Sequence, residues 1–582
     1  MGMIKSPRKM WFLGLLVGVG IFFAHITTVN AADKPELAPT QPVALNHIGV
    51  YGLRQMEPAL TGMGVKIALV SRSLTYVDGE PLNDCRPFVS HNCFAGKKFT
   101  FFDQGDKPAG ISPHSTSECS ILFGRDPYGF DEQLRQFRYE GVVPDAEADI
   151  YEFWYFLTNN IFPANCPDAD ILSASFGSQF EDWWTRGIES LIEQDGLIVV
   201  AAIGNGSNVH DPLLYPGAGA NAIGVGVIDS VSSDDLATTL SHLALAYPEH
   251  SSTGPSIDGR CKPDIVAPGN CLAAQVGEPN RYKPTGPWSS FATPIVAGTI
   301  GLLLQKARQD PNLSVAATTE GGNCVIKAVL MNSATKLPYW HKGQLAHNDD
   351  HTAPLDHIQG AGMLNAVGAY NQLAAGLNKP GKVACTGWDL NSLEKSIKPE
   401  TIYEISLKDT ANKVICATLV WNNHYNSTYP FQARTDLNAN LRLELWGVDA
   451  NNPQSAHLLD YSDSKTDNVE HIYYQADGKY TTYELVAAYS DDSNSTSVSE
   501  RYALAWNISN PGSSDSFLLY DLYPDGVIDE SDVMIFIDNW LNSFNGDTGY
   551  MLGDLNGDGA IGVGDLDILI KKLGLEADWH KK

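Results

Sequence analysis

The sequence predicts an α/β domain, a parallel sheet covered by helices, followed by an antiparallel β-sandwich and a small α-helical module. Three patterns predict it. Between Gly62 and Tyr370, strongly apolar strand-like runs alternate with helical segments, as in a sheet buried on both faces. After a Gly/Lys/Pro punctuation near Lys379 the runs become short, alternating and aromatic, with polar turns between them. Beyond the linker-like stretch SNPGSSDS from Ser509, an acidic loop followed by an amphipathic run occurs twice. These patterns divide the chain into residues 1–31, 32–378, 379–510 and 511–582. At 582 residues and 43% hydrophobic content, it can fill two cores and a small module.

The first segment has its own signature. Lys5, Arg8 and Lys9 precede a wholly apolar stretch from Trp11 to Ala24, and small residues follow at Val29-Asn30-Ala31. That is the order of a secretory signal peptide, with the mature chain expected to begin near Ala32. The apolar run is short for a membrane span, and an uncleaved anchor is the other reading. A net charge of -29 argues against nucleic acid or anionic membrane surfaces as partners and fits a secreted or cell-surface protein.

In the α/β region, chemistry-bearing residues fall at the ends of predicted strands and the starts of predicted helices. The run VKIALVSRSLTY is a strand carrying Ser71 and Arg72 at its end. In PHSTSECSILFG, His114 follows a proline and opens an apolar stretch, so it can project from the first turn of a buried helix. GVVPDAEADIYEF from Gly141 reads as a turn and a strand, and ADILSASFGS as a buried strand running into a glycine-containing loop at Ser178. GLIVVAAIGNGSN places Asn205 just past an apolar strand; YPGAGANAIGVGVID and KPDIVAPG supply two more strands. In GPWSSFATPIVAG, Ser290 opens a helix with Pro294 in its first turn, and Ala297 and Gly298 permit close packing. The site of such a sheet lies beyond the carboxyl ends of its strands. A serine hydroxyl needs positioning and a base to act as nucleophile, and a helix N-terminus favours negative charge developing beside it.

Together these runs resemble the subtilisin-like serine proteases, over roughly Gly62 to Tyr370. GVVPDA, SASFG, AAIGNG and SSFATP match that family's motifs in order, followed by AVLMNSAT from Ala328 and GAGMLNAVGAY from Gly360. The resemblance implies a subtilisin-like fold, with Ser290 as nucleophile, His114 as general base and Asn205 as a side-chain donor to the oxyanion. It also implies that Ser175, Phe176, Gly177 and Gly204 flank a peptide bound as an extended strand.

The family's third catalytic residue is missing. Its aspartate ends the first core strand, where this chain has Ser71. Trp288 stands where a glycine precedes the nucleophile motif, and Ser115 where a glycine follows the histidine. Glu118 is the candidate substitute acid, because residues four apart share a helix face; related sedolisins place two catalytic groups four apart on this helix. A partly exposed helix glutamate is the other reading of Glu118, and Asp78 and Asp84 are further candidates. Two function classes stay open: a secreted endopeptidase with a rearranged catalytic set, and a pseudo-protease that binds extended peptides without efficient cleavage.

The runs LVW, DLNANLRLELW and DNVEHIYY resemble the jelly-roll-like domain trailing the catalytic unit of some bacterial subtilases. Packing beside the cleft or substrate recognition is the expected role, with carbohydrate binding as an alternative. In the tail, PDGVIDESDVMIFIDNWL from Pro524 recurs as GDGAIGVGDLDILIKKLG from Gly557. The second copy places Asp554, Asn556, Asp558, the Ala560 carbonyl, Gly562 through water, and Asp565 at the positions of a calcium loop, with Gly559 at its sharp turn. The first offers Asp521, Asp525, the Val527 carbonyl, Asp529 and Asp532, but has Tyr523 where an oxygen ligand is expected. The pair resembles a type I dockerin, a module that docks on cohesin domains of scaffold or cell-surface proteins; an EF-hand sensor is the alternative. Nine cysteines fit an oxidising compartment and leave at least one unpaired. Cys85 with Cys93 and Cys261 with Cys271 are near enough in sequence to pair, and Cys119 reads as a buried thiol.

Overall fold

A computed structural model of the chain describes residues 40–72, 76–77, 80–81, 84–103, 109–206, 212–230, 243–246, 251–337, 340–343, 350–407, 411–449, 452–490, 496, 498–509, 520, 522, 527–543, 555 and 561–575. The expected signal segment, Asp78, Asp521, Asp525, Asp554, Asn556, Asp558 and Ala560 lie outside the described residues.

The first region is built on an eight-stranded sheet. Its strands are β1 (Lys66–Ser71), β2 (Phe99–Phe102), β3 (Glu147–Glu152), β4 (Ile171–Ala174), β5 (Ile198–Ala202), β6 (Ile223–Ser230), β7 (Leu243–Ala246) and β8 (Ile265–Pro268). They run in the order β7-β6-β5-β4-β1-β3-β2, with β8 also pairing β6. Every pairing is parallel except β6–β7. The central strands are apolar on both faces, which only a sheet covered on both sides tolerates.

Helices α1 (Pro113–Phe123), α2 (Trp183–Asp195), α3 (Ser289–Gln309), α4 (Gly322–Asn332) and α5 (Ala366–Ala374) accompany it. Helix α3 is buried along most of its length and packs against α1, β4, β5, β6 and β8. Gly298 permits that approach: a Cβ there would lie 2.5 Å from Val142 Cβ, a contact no side chain could make.

The second region is an antiparallel β-sandwich. One sheet holds β9 (Gly381–Val383), β11 (Glu400–Ser406), β13 (Leu441–Asp449), β14 (Asn452–Ser462) and β16 (Thr482–Tyr489). It runs β9-β11-β16-β13-β14, with only β9–β11 parallel. The other runs β10 (Thr386–Glu394), β17 (Ser499–Ser509), β12 (Ala411–Trp421) and β15 (Val469–Asp477), antiparallel throughout. Between the sheets Tyr403, Trp421, Tyr483, Tyr502 and Trp506 are fully buried, so these aromatics serve the core. The outer face of the second sheet packs on α4, and Trp388, Val420, Val469, Ala503 and Ala505 extend the first region's apolar core.

In the tail, helices α6 (Glu530–Ser543) and α7 (Val563–Ile570) follow the two acidic loops. Their small core is itself repeated: Leu522, Ile528, Val533 and Phe536 recur 33 residues later as Leu555, Ile561, Leu566 and Leu569. None of the nine cysteines forms a disulfide, which corrects the pairings of Cys85 with Cys93 and Cys261 with Cys271. Proximity in sequence was their sole warrant, and a disulfide depends on the spacing and direction of the two Cβ atoms in space. Cys119 is a fully buried thiol, as expected.

Candidate active site

Ser112 caps α1 by accepting the Ser115 N–H at 3.2 Å, and Pro113 occupies the first helical turn. This fixes His114 in that turn, with Glu118 one turn further along the same face. His114 Nδ1 lies 3.2 Å from Glu118 Oε2. Glu118 is 1% exposed, which corrects the reading of a partly exposed helix residue. Among the described residues, His114 is the sole ion-pair partner of that carboxylate.

The electrostatics follow from burial and this one contact. Burial opposes charging of the imidazole, but the Glu118 carboxylate outweighs it, so His114 holds its proton above the ordinary value of 6.5. A carboxylate facing Nδ1 also requires the Nδ1–H tautomer in the neutral ring. That leaves Nε2 as the proton acceptor.

The imidazole ring lies 5.5 Å, centroid to centroid, from the ring of Phe291, the residue after Ser290. The base helix and the nucleophile helix therefore meet at their first turns. Ser290 is half-buried at the start of α3, and its backbone carbonyl accepts from the Ser175 hydroxyl at 2.8 Å. That bond ties the nucleophile's turn to the strand expected to flank the peptide.

Asn205 reaches the same turn from beyond β5. Its Oδ1 accepts from both the backbone N–H and the hydroxyl of Ser289, at 2.8 and 2.7 Å. A backbone N–H can only donate, so this pair fixes which way the amide faces and directs Nδ2 away from Ser289. Ser289 is 1% exposed, and nothing in the motif except its place beside Ser290 hinted at this role.

Ser71, at the end of β1, makes no hydrogen bond to His114, Glu118 or Ser290. It is 2% exposed and its hydroxyl has no hydrogen-bond partner among the described residues, while the neighbouring Arg72 lies over the Phe153 ring at 5.4 Å. Phe176 turns into the core, against Phe153 and Trp184 at 5.0 and 5.9 Å between centroids, so only its backbone can serve a peptide. Gly177 is locked beside Tyr215 through the reciprocal bonds of Ser178, and Gly204 has φ +116°, a conformation that favours glycine.

In the tail, the Asp529 N–H donates to Asp532 Oδ2 at 2.7 Å, and the Gly562 N–H to Asp565 Oδ2 at 2.8 Å. The same bond thus closes both loops. Asp532 and Asp565 are 0% and 1% exposed, and Asp565 also accepts from the Leu555 N–H at 2.7 Å. Val527 belongs to the described loop as well, next to Ile528, which exchanges backbone bonds with Gly574 and Leu575.

A largely parallel sheet with a serine at one helix start, a histidine at another and an asparagine past a strand is a subtilisin-like α/β architecture. Residues 152–362 match the model of the subtilase family (Peptidase_S8). The chain is similar to subtilisin-like protease SBT6.1 of Arabidopsis thaliana, 28% identical over 276 residues, 45% of this chain and 22% of that one. It is similar also to the serine protease AprX of Bacillus subtilis (strain 168), 32% identical over 169 residues, 25% of this chain and 35% of that one. Among solved structures, the PatG macrocyclase in complex with peptide has a TM-score of 0.38 at 14% identity, covering 56% of this chain and 95% of that chain. The family model and the curated relatives together make part of this chain similar to the subtilases. This chain spans 22% and 35% of the length of those two relatives. Asn205 and Ser290 fall inside the matched stretch, whereas Ser71, His114 and Glu118 precede it.

Proposed function

We propose that the chain is a secreted serine endopeptidase in which Glu118 performs the task the family assigns to an aspartate at the position of Ser71. The observation that carries this reading is the buried His114–Glu118 contact of 3.2 Å. An extended peptide lies between Ser175–Gly177 and the segment ending at Gly204, with its scissile carbonyl over the start of α3. His114 Nε2 takes the Ser290 hydroxyl proton as Oγ bonds to the carbonyl carbon. The Asn205 amide and the N-terminal end of α3 stabilise the oxyanion that forms. The imidazolium then returns its proton to the departing amine, and water hydrolyses the acyl-enzyme by the same steps. Glu118 holds the ring in the required tautomer and stabilises its charged form.

A fluorophosphonate probe tests this directly. Labelling of Ser290 that is lost in Ser290→Ala and strongly slowed in Glu118→Gln is expected. Unchanged labelling in Glu118→Gln would remove Glu118 from the mechanism. Absence of labelling in the wild type would leave the pseudo-protease, a cleft that binds without cutting; a serine at position 71, where the family carries its aspartate, favours that second reading.

The tail is proposed to be a dockerin-like calcium module. Its residues fit a hard cation: each loop carries a buried carboxylate at the last ligand position, Asp532 or Asp565, held by the same backbone bond. Asp521, Asp525, the Val527 carbonyl, Asp529 and Asp532 would hold one ion, and Asp554, Asn556, Asp558, the Ala560 carbonyl and Asp565 the other. Bound calcium would cross-link each loop and fix the helix that follows it. A cohesin-bearing scaffold or cell-surface protein is the proposed partner. Secretion rests on the N-terminal charge and apolar pattern. Among the described residues, no helix is long and apolar enough to cross a membrane.

A further inference from the structure

Phe162, Trp183 and Tyr429 form an aromatic cluster at the surface where the α/β region meets the sandwich. Their ring centroids lie 6.0 Å (Phe162–Trp183), 5.2 Å (Phe162–Tyr429) and 5.5 Å (Trp183–Tyr429) apart. Phe162 is 56% and Tyr429 53% exposed, so the cluster faces solvent. Exposed aromatic groups of this kind mark interaction surfaces.

The backbone around the cluster is built to hold the rings. Phe431 of the sandwich is fully buried in a core of the α/β region, with Ile161, Trp184 and Ile188. Gly187 of α2 admits it: a Cβ there would lie 2.5 Å from Ile161 Cγ2 and 3.1 Å from Phe431 Cε2. Anchoring Phe431 brings Tyr429, two residues earlier, beside Phe162 and Trp183. The Phe431 N–H donates to the Thr428 carbonyl at 2.8 Å, and Arg186 Nη2 of α2 to the Pro430 carbonyl at 3.4 Å, which pins the turn. Phe431 and Ala164 both have a φ of 53°, a left-handed conformation that persists only where packing imposes it and that gathers at binding sites. Each stands two residues after a ring of the cluster.

Position and shape name the occupant. The loop leaving β4 carries Ser175–Gly177, which flank the expected peptide, then Phe180, 68% exposed, then Trp183 in the first turn of α2. The cluster thus continues the peptide-flanking segment along one loop at the carboxyl end of the sheet. Its ring planes are inclined by 90°, 51° and 64°, so they make no flat platform on which a sugar chain could stack. Edges and faces set at such angles suit an apolar or aromatic side chain, which takes the same inclined packing.

We propose that Phe162, Trp183 and Tyr429 form an exosite that holds an apolar or aromatic residue of the polypeptide substrate, outside the segment bound at Ser290. The proposal rests on the proteolytic reading and deepens it. Through Tyr429 the sandwich takes part in substrate recognition, and the substrate class becomes unfolded polypeptides with exposed apolar residues.

The test compares reduced, carboxymethylated lysozyme with a short peptide spanning only the bond of it that is cut fastest. Both are assayed on the wild-type chain, Tyr429→Ser and Phe162→Ser, with fluorophosphonate labelling of Ser290 followed in parallel. Each variant should raise KM for the long substrate by about tenfold, the scale of losing one aromatic anchor. Labelling, kcat and the KM for the short peptide should keep their wild-type values, because the exosite binds ground state and transition state alike. Should one variant fail to fold, the other carries the comparison. An unmoved KM for the long substrate in a variant whose Ser290 still labels would overturn the proposal, as would an equal rise for the short peptide. So would a dimer in sedimentation that Tyr429→Ser dissolves, which would give the cluster to a second copy of the chain. Failure of Ser290 to label in the wild type would instead overturn the proteolytic reading beneath it.

Discussion

His114 Nδ1 and Glu118 Oε2 face each other at 3.2 Å across one turn of a single helix. The carboxylate is shielded from water and has no other ion-pair partner among the described residues. Glu118→Gln keeps the shape and removes the charge. It is expected to lower kcat/KM by about 1,000- to 10,000-fold, the scale on which losing the orienting acid acts in serine proteases. Fluorophosphonate labelling rates check the same loss without a chosen substrate.

The pH profile carries the same signature. Burial works against protonation of His114 and the Glu118 carboxylate more than compensates, so the base gives up its proton above 6.5. Activity should rise with pH through an acid limb centred above that value. The limb should move down in Glu118→Gln, because burial then acts alone. Labelling rates between pH 5 and 9 measure both positions.

Ser71→Ala tests the position from which the expected acid is missing. The Ser71 hydroxyl is buried without a hydrogen-bond partner among the described residues, so removing it relieves an unsatisfied group. Labelling should be unchanged and stability equal or higher by up to about 1 kcal/mol. A marked loss of labelling would show that Ser71 takes part in the chemistry after all.

Asn205→Ala should lower kcat by about 100- to 1,000-fold, as loss of one oxyanion donor does. It also frees the backbone N–H and hydroxyl of Ser289, both bound to Asn205 Oδ1. Asn205→Asp keeps that acceptor but loses the donor. Both variants should therefore lose kcat, with Asn205→Asp retaining more of the wild-type thermal stability.

His424 clamps the sandwich to the α/β region. Its Nδ1 lies 2.6 Å from Glu193 Oε1 of α2 and its Nε2 3.0 Å from Glu500 Oε2 of β17. Burial opposes its charge, but the bonds to Glu193 and Glu500 raise its pKa to about 10. A raised folded-state value stabilises fully below the unfolded value, about 6.5, and the contribution is lost as pH rises through about 10. Denaturant unfolding at pH 6, 8 and 10 should show a wild-type advantage over His424→Gln that shrinks with pH. At pH 6 the variant should be less stable by about 3 kcal/mol, because two carboxylates lose their shared partner.

For the tail, adding EDTA to the full-length chain should expose it to proteolysis, and calcium should restore resistance. Asp565→Ala and Asp532→Ala should each weaken apparent calcium affinity by at least about tenfold, the scale of losing even a group that only hydrogen-bonds to a metal ligand. Calcium titration read by tail protection checks this. Indifference to calcium would remove the metal from the assignment.

Strand periodicity, the glycine and proline punctuation and the short motifs were legible in the residues alone. They placed the α/β region, the sandwich, the helices bearing His114 and Ser290, and the acidic repeat, because each depends on local pattern and burial. Glu118 was legible only as spacing on a helix; that it is buried and unshared depends on what surrounds α1. The cysteine pairings failed for the same reason, since proximity in sequence says nothing of the direction of a Cβ.

The sequence by itself determined which residues could do chemistry and which element would carry each. Tertiary structure alone decided that Asn205 anchors on Ser289, that Phe176 turns inward and that Glu118 is buried against His114. The physical reason is range. Helix and strand formation is governed by neighbours a few residues away, whereas hydrogen-bond partners, desolvation and pocket volume are set by segments that are distant in the chain and meet only after packing.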